Sequence, residues 1–137
     1  MSLHLEIVTP EKKVFSDAVD NVYLPGADGE LGVLPMHAGL VTSLQPGELR
    51  YLHNGQVVTL AVGSGFAEVT QTKVTVLTDM ALGEDEIDEQ SAEEAIQRAQ
   101  EKLAAVEHSM DAEEVAYLQG VISKSAAAIS FKRKFRS

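Results

Sequence analysis

The sequence predicts a β + α chain, an N-terminal antiparallel β-sandwich of about ten strands over residues 1–83 followed by an antiparallel α-helical hairpin over 84–137. Two observations carry this. Up to Leu82, short apolar runs recur roughly every 8–12 residues with turn residues between them. From Gly83 onward the apolar spacing lengthens to three and four residues and alanine becomes frequent.

Leu3, Leu5 and Ile7 alternate with His4, Glu6 and Val8, which predicts a half-buried first strand. Thr9-Pro10-Glu11-Lys12 then turns the chain into Val14-Phe15. Pro25-Gly26 and Asp28-Gly29 punctuate the next stretch, and Leu31, Val33 and Leu34 form a short strand between two loops that carry Glu30 and His37. The clearest hairpin is Arg50–His53, Asn54-Gly55, Gln56–Leu60, because Asn-Gly favours the type I′ turn that matches strand twist. Gly63-Ser64-Gly65 reads as a bulge or a close backbone approach, and Val74 to Asp79 gives the last strand.

Helical periodicity runs from Ile87 to about Val106, with Ala92, Ala95, Ile96, Ala99 and Leu103 on one stripe. Glu84, Asp85, Glu86, Asp88 and Glu89 crowd its beginning, where carboxylates complement the helix dipole. A second helix begins near Asp111, a capping residue, with Val115, Leu118, Ile122, Ser125 and Ile129 as its stripe. The joint at Glu107–Met110 is short enough to fold the helices back on each other. Both stripes are rich in Ala and Ser, so the hairpin docks with a small net free energy.

Composition narrows the function. The 21 acidic and 11 basic side chains give a formal charge of -10, which opposes a nucleic-acid-binding surface. The absence of cysteine removes disulfides and thiolate metal sites. No basic, apolar leader opens the chain and no apolar run reaches membrane-spanning length, so membrane association is expected through a partner rather than by insertion. There is no P-loop run, Glu68 stands where a dinucleotide fingerprint needs its third glycine, and Ser64 lacks the spacing of a hydrolase elbow. The four histidines show no metal-ligand spacing, and residues 84–89 lack the order of a calcium loop. No catalytic residue, metal site or cofactor is expected.

The run Leu24-Pro25-Gly26-Ala27-Asp28-Gly29-Glu30-Leu31-Gly32-Val33-Leu34-Pro35-Met36-His37-Ala38, with Leu5–Pro10, Pro46-Gly47-Glu48-Leu49, Gly65–Val69 and Val74–Asp79, resembles the epsilon subunit of F-type ATP synthases. The resemblance implies a non-catalytic rotor subunit of the central stalk. It would clamp the gamma subunit to the ring of membrane rotor subunits and couple proton or sodium flow to ATP synthesis. It implies ring contact by Glu30, Gly32 and His37, whereas from the residues alone the polar groups of this loop could simply satisfy turn backbone. Where the family usually has His-Ala-Pro-Leu, this chain has His37-Ala38-Gly39-Leu40.

Ile87, Asp88 and Ala92 line up with Ile/Leu-Asp-x-x-Arg-Ala, through which some bacterial epsilon subunits bind ATP, but Ser91 replaces the arginine. A helix start with an acidic cap is therefore the preferred reading there. Phe131-Lys132-Arg133-Lys134-Phe135-Arg136 reads either as a frayed basic tail or as an inhibitory end. In the second reading, an extended hairpin delivers Lys132, Arg133, Lys134 and Arg136 to the alpha and beta subunits of the catalytic head. The resemblance, with no targeting segment, places the chain on the cytoplasmic face of a bacterial inner membrane or the stromal side of a thylakoid. The alternative from a different class is a free-standing small-molecule-binding β-sandwich with a helical lid.

Overall fold

In the computed structural model, residues 2–106 and 112–136 are described. Ten strands precede the helices: β1 (Leu3–Val8), β2 (Lys13–Val19), β3 (Asn21–Gly26), β4 (Gly29–Val33), β5 (Leu40–Leu44), β6 (Gly47–His53), β7 (Gln56–Val62), β8 (Gly65–Val69), β9 (Lys73–Thr78) and β10 (Ala81–Leu82). A 3-10 turn (Glu84–Glu86) leads to α1 (Glu89–Val106) and α2 (Ala112–Arg136).

The strands run in the order β10-β7-β6-β3-β5-β8-β9-β1-β2, with β4 attached to β3. Alternation decides which side chains face inward: Leu3, Leu5 and Ile7 of β1, Val22 and Leu24 of β3, Leu49 and Tyr51 of β6, and Val74 and Val76 of β9 share one core. At one corner, Gly26 pairs with Leu44 and carries the ladder from β3 to β5. At the opposite corner the Asp20 N–H donates to the Leu52 carbonyl at 2.9 Å. There, Phe15 of β2 packs on Tyr51 of β6 with ring centres 4.5 Å apart, and Asp17 Oδ2 lies 3.0 Å from His53 Nε2. The sheet is thereby nearly closed, a sandwich verging on a barrel.

One pairing corrects the all-antiparallel expectation. β1 and β9 run parallel, with Leu5 beside Val74 and Ile7 beside Val76. A parallel pair joins strands distant in sequence, and no local turn signal marks it. The β6–β7 hairpin turns at Asn54 (φ 52°) and Gly55 (φ 79°), the positive pair that a type I′ turn requires. The Gly63–Gly65 segment is a close approach: a Cβ on Gly65 would sit 1.9 Å from the Leu77 carbonyl oxygen.

The helices also depart from expectation at their start. The acidic run is not the first turn of α1, since Glu84–Glu86 form a separate 3-10 turn and Ile87 returns to extended backbone. Asp88 caps α1, its Oδ1 accepting from the Ser91 N–H at 3.1 Å and its Oδ2 from the Ser91 hydroxyl at 2.9 Å. These bonds hold the Asp88 carboxyl below the usual carboxylate range, the Ser91 N–H contributing most. The joint at Glu107–Met110 and the Asp111 cap lie outside the described residues.

Late α1 meets early α2 and early α1 meets late α2, as in an antiparallel hairpin: Ala95, Ala99 and Lys102 line one groove with Leu118 and Val121, and Glu93 and Ile96 line another with Ile129 and Arg133. α2 has two working faces where one stripe was expected. Leu118 and Ile129 face α1, whereas Ala128 and Phe131 pack with Ala61 of β7 and Ile87. Ala61 is fully buried on the outer side of β7, and its small side chain lets the helix lie close to the strand.

Candidate functional site

Glu30 and Gly32 fall on β4, which pairs in the sheet with β3 alone among the described residues. Tyr23 of β3 pairs with Gly32 on one side and with Arg50 of β6 on the other, so the three positions make a row across three strands on one face. The Tyr23 ring lies over Gly32: a Cβ there would be 2.9 Å from Tyr23 Cε1. The Arg50 guanidinium carbon sits 5.1 Å from the centre of that ring, and its Nη2 donates to Glu30 Oε1. Glu30, two residues from Gly32 on the same face, is thus held by a residue from a different part of the sequence.

His37 stands in the next loop. Leu34-Pro35-Met36-His37 is a tight turn in which the His37 N–H donates to the Leu34 carbonyl at 3.2 Å. Proline at the second position and positive φ at the third are the type II pattern, yet the third residue is Met36 at φ 69° instead of glycine or asparagine. The turn is tied down by the Met36 N–H donating to the Gln71 carbonyl at 2.8 Å. His37 is half-buried with Nδ1 2.7 Å from the Ala38 carbonyl, which assigns the donor proton to Nδ1. Leu34 and Met36 project instead, 59% and 53% exposed.

Sequence reasoning therefore selected Glu30, Gly32 and His37 and missed Tyr23, Arg50, Leu34 and Met36. The structure joins the first two of its choices in one cluster with Tyr23 and Arg50. No hydrogen bond links His37 to that cluster among the described residues. A signal for the turn existed, since Pro35 marks its second position and an apolar residue in the third is unusual.

A second surface lies on the outer side of β5, β8 and β9. Val41, Phe66 and Leu77 are 68%, 60% and 52% exposed, and Phe66 stands directly opposite Leu77. Beside them is an open groove of about 350 Å³ lined by Val8, Pro10, Gly65 and Leu77. Neighbouring large apolar side chains in water mark an interaction surface.

The basic end of α2 is not a frayed tail. Phe131 is buried against Ala61 and Ile87. Lys132 Nζ donates to the Glu84 carbonyl at 3.2 Å, and Lys134 Nζ lies 3.0 Å from Glu48 Oε1 on β6. Arg133 bonds Glu89 through Nε and Glu93 through Nη2, the latter at 2.8 Å, and the Glu89 contact raises its already high pKa. The side chain of Arg136 lies outside the described residues.

The other candidates on the hairpin are similarly engaged. Ile87 is buried under α2, Asp88 caps α1 through Ser91, and Ala92 is half-buried. Among the described residues no three His, Asp or Glu side chains gather as a metal-binding group, and no helix is long and apolar enough to cross a membrane.

Comparison with known proteins gives a consistent set. A family model described as the ATP synthase delta/epsilon chain beta-sandwich domain matches residues 2–84. The ATP synthase epsilon chain of Desulforamulus reducens is 52% identical over 99 residues, covering 72% of this chain and 75% of that one. The ATP synthase epsilon chain of Nitratidesulfovibrio vulgaris is 46% identical over 110 residues, 80% of this chain and 82% of that one. Among solved structures, a chain of the Euglena gracilis mitochondrial ATP synthase OSCP/F1/c-ring assembly superposes with a TM-score of 0.72, covering 94% of this chain and 80% of that one. At 22% identity that likeness speaks for the fold alone.

Proposed function

This chain belongs to the epsilon-chain family of ATP synthases, and we propose that it acts as a non-catalytic subunit of the central stalk, clamping the gamma subunit to the membrane rotor ring. The observation that carries this reading is the family match across the whole sandwich, on which the two exposed surfaces are found. The end bearing Glu30, Gly32, Leu34, Met36 and His37 meets the ring. The apolar face of Val41, Phe66 and Leu77 packs on gamma, because covering it removes large hydrophobic side chains from water. The protein works at the cytoplasmic face of a bacterial membrane, held there by its partners.

The hairpin regulates. Docked on β6 and β7 it leaves rotation free; extended along gamma it carries Lys132, Arg133, Lys134 and Arg136 to the alpha and beta subunits and resists ATP hydrolysis. The weakly apolar helix stripes support this two-state reading, as does the reliance of the docked end on ion pairs. The hairpin holds no ATP in this reading, since Ser91 replaces the motif arginine, Asp88 is occupied as a cap, and Arg133 is committed to Glu89 and Glu93.

Affinity capture from native membranes with tagged chain, followed by mass spectrometry after a moderate salt wash, tests the assembly. Recovery of gamma with the head and ring is expected, and recovery of the chain alone from membranes that retain the synthase would overturn it. Deleting residues after Gly83 tests the hairpin: assembly persists and ATP hydrolysis rises, whereas unchanged hydrolysis removes the inhibitory role.

A further inference from the structure

Arg50 has no role in the reading above, yet it is engaged on two sides. Its guanidinium lies 5.1 Å over the Tyr23 ring while its Nη2 donates to Glu30 Oε1. A guanidinium is planar, so stacking on a ring fixes the plane in which its N–H groups point. Tyr23 can lie there only because Gly32 has no side chain to displace it. Three strands thus contribute one part each, and the part they orient is the Glu30 carboxylate.

Without Arg50, Glu30 would stand on an outer strand paired on one side only, free to sample several rotamers. Freezing those rotamers on contact with a partner would weaken binding, and orienting the carboxylate beforehand removes that cost. The ion pair is exposed, with 38% of the Arg50 side chain and 56% of the Glu30 side chain open to water. Such pairs contribute little to folding, which leaves orientation as what the arrangement provides.

We propose that Arg50 is a positioning residue for the ring contact: stacked on Tyr23 over Gly32, it holds the Glu30 carboxylate in the orientation in which it meets the ring. The proposal rests on the reading of Glu30 as a ring contact. Oε1 is already engaged by Arg50, so Oε2 is the oxygen offered outward. The complementary group is an N–H or O–H donor on the ring.

The test adds full-length variants back to membranes whose synthase has been stripped of this subunit. It reads the concentration that half-restores ATP-driven ion pumping, alongside the melting temperature of each isolated chain. Glu30→Gln and Arg50→Ala each raise the half-restoring concentration by roughly tenfold. The double variant is no worse than either single one, Arg50→Lys falls between, and all melting temperatures stay within about 2 °C of the parent. Multiplying effects in the double variant overturn the proposal, as does a normal Arg50→Ala beside a weakened Glu30→Gln, or an Arg50→Ala loss matched by a fall in melting temperature. A Glu30→Gln chain that restores pumping normally overturns the ring-contact reading of Glu30 itself, and the positioning role with it.

Discussion

The sandwich and the helical hairpin pack against each other and are held by different forces. In the sandwich, Leu3, Leu5, Ile7, Leu24 and Leu49 are fully buried in a single shared core. In the hairpin, small buried groups (Ala99, Ser125 and Ala128) alternate with Leu118 and Ile129, and Phe131 is the one large aromatic anchor among the described residues. Around that anchor the seam is ionic: Lys124 with Asp79, Lys132 with Glu84, Lys134 with Glu48. Hydrophobic burial is insensitive to modest salt, while exposed ion pairs are screened by it. A hairpin that docks conditionally on a permanent sandwich is the arrangement these forces predict.

The largest effects separate the two regions. Leu5→Ala, at a fully buried position of β1, costs about 3–5 kcal/mol and lowers the melting transition of the whole chain, because the hairpin docks on strands of the same sandwich. Phe131→Ala costs a similar ~3 kcal/mol but takes it from docking alone. Hydrogen exchange reads the difference: α2 amides lose protection while β1 and β9 keep theirs. Equal loss in both would break the division into a permanent and a conditional part.

A smaller effect sharpens the nature of the seam. Raising salt from about 0.05 to 0.5 M, or replacing Lys134 by Gln, speeds exchange in the last turns of α2 by roughly a few-fold and leaves the sandwich unmoved. If salt changed both regions alike, the seam would be apolar in effect and its ion pairs incidental.

How far these regions were legible in the sequence follows from the same physics. Period-two alternation exposes strand faces, so Leu3, Leu5, Ile7, Val74 and Val76 were readable as core, and Asn54-Gly55 fixed a hairpin by turn chemistry alone. The parallel union of β1 and β9 was not readable, because it depends on how distant strands meet. Where Phe131 docks was not readable for a related reason. Its neighbours are charged, and its burial is decided by a small residue, Ala61, seventy positions earlier. At the candidate site, the turn at Glu30 was visible while its partner Arg50 was not, since their meeting needs the β3–β4 and β3–β6 registers together.

Within the sandwich, the Leu34–His37 turn holds a local strain that can be relieved. Met36 has φ 69°, a conformation that costs a residue with a side chain about 1 kcal/mol relative to glycine. Met36→Gly is expected to stabilise the isolated chain by up to that amount in denaturant unfolding, with the hairpin's exchange unchanged. An unaltered or lower midpoint would mean that the Met36 side chain returns the strain through its own contacts.

The smallest expected effect is acid-induced, and it offers a separate handle on each region. Asp88 caps α1 and Asp17 joins β2 to β6; both carboxyls lie below the ordinary value of 3.8, Asp88 chiefly through the Ser91 N–H and Asp17 chiefly through the Ala18 N–H, with His53 next. A carboxyl whose pKa is lower in the folded chain adds stability that is fully present above the unfolded value and lost as pH falls through the folded one. Nothing changes near neutrality, and below about pH 3.8 both contributions decline. Asp88→Ala should flatten the acid dependence of exchange in the first turns of α1 without altering that of β2, and Asp17→Ala should do the reverse. Both substitutions acting on both regions would mean that the two melt as a single unit in acid, which is the outcome least compatible with a hairpin that releases on its own.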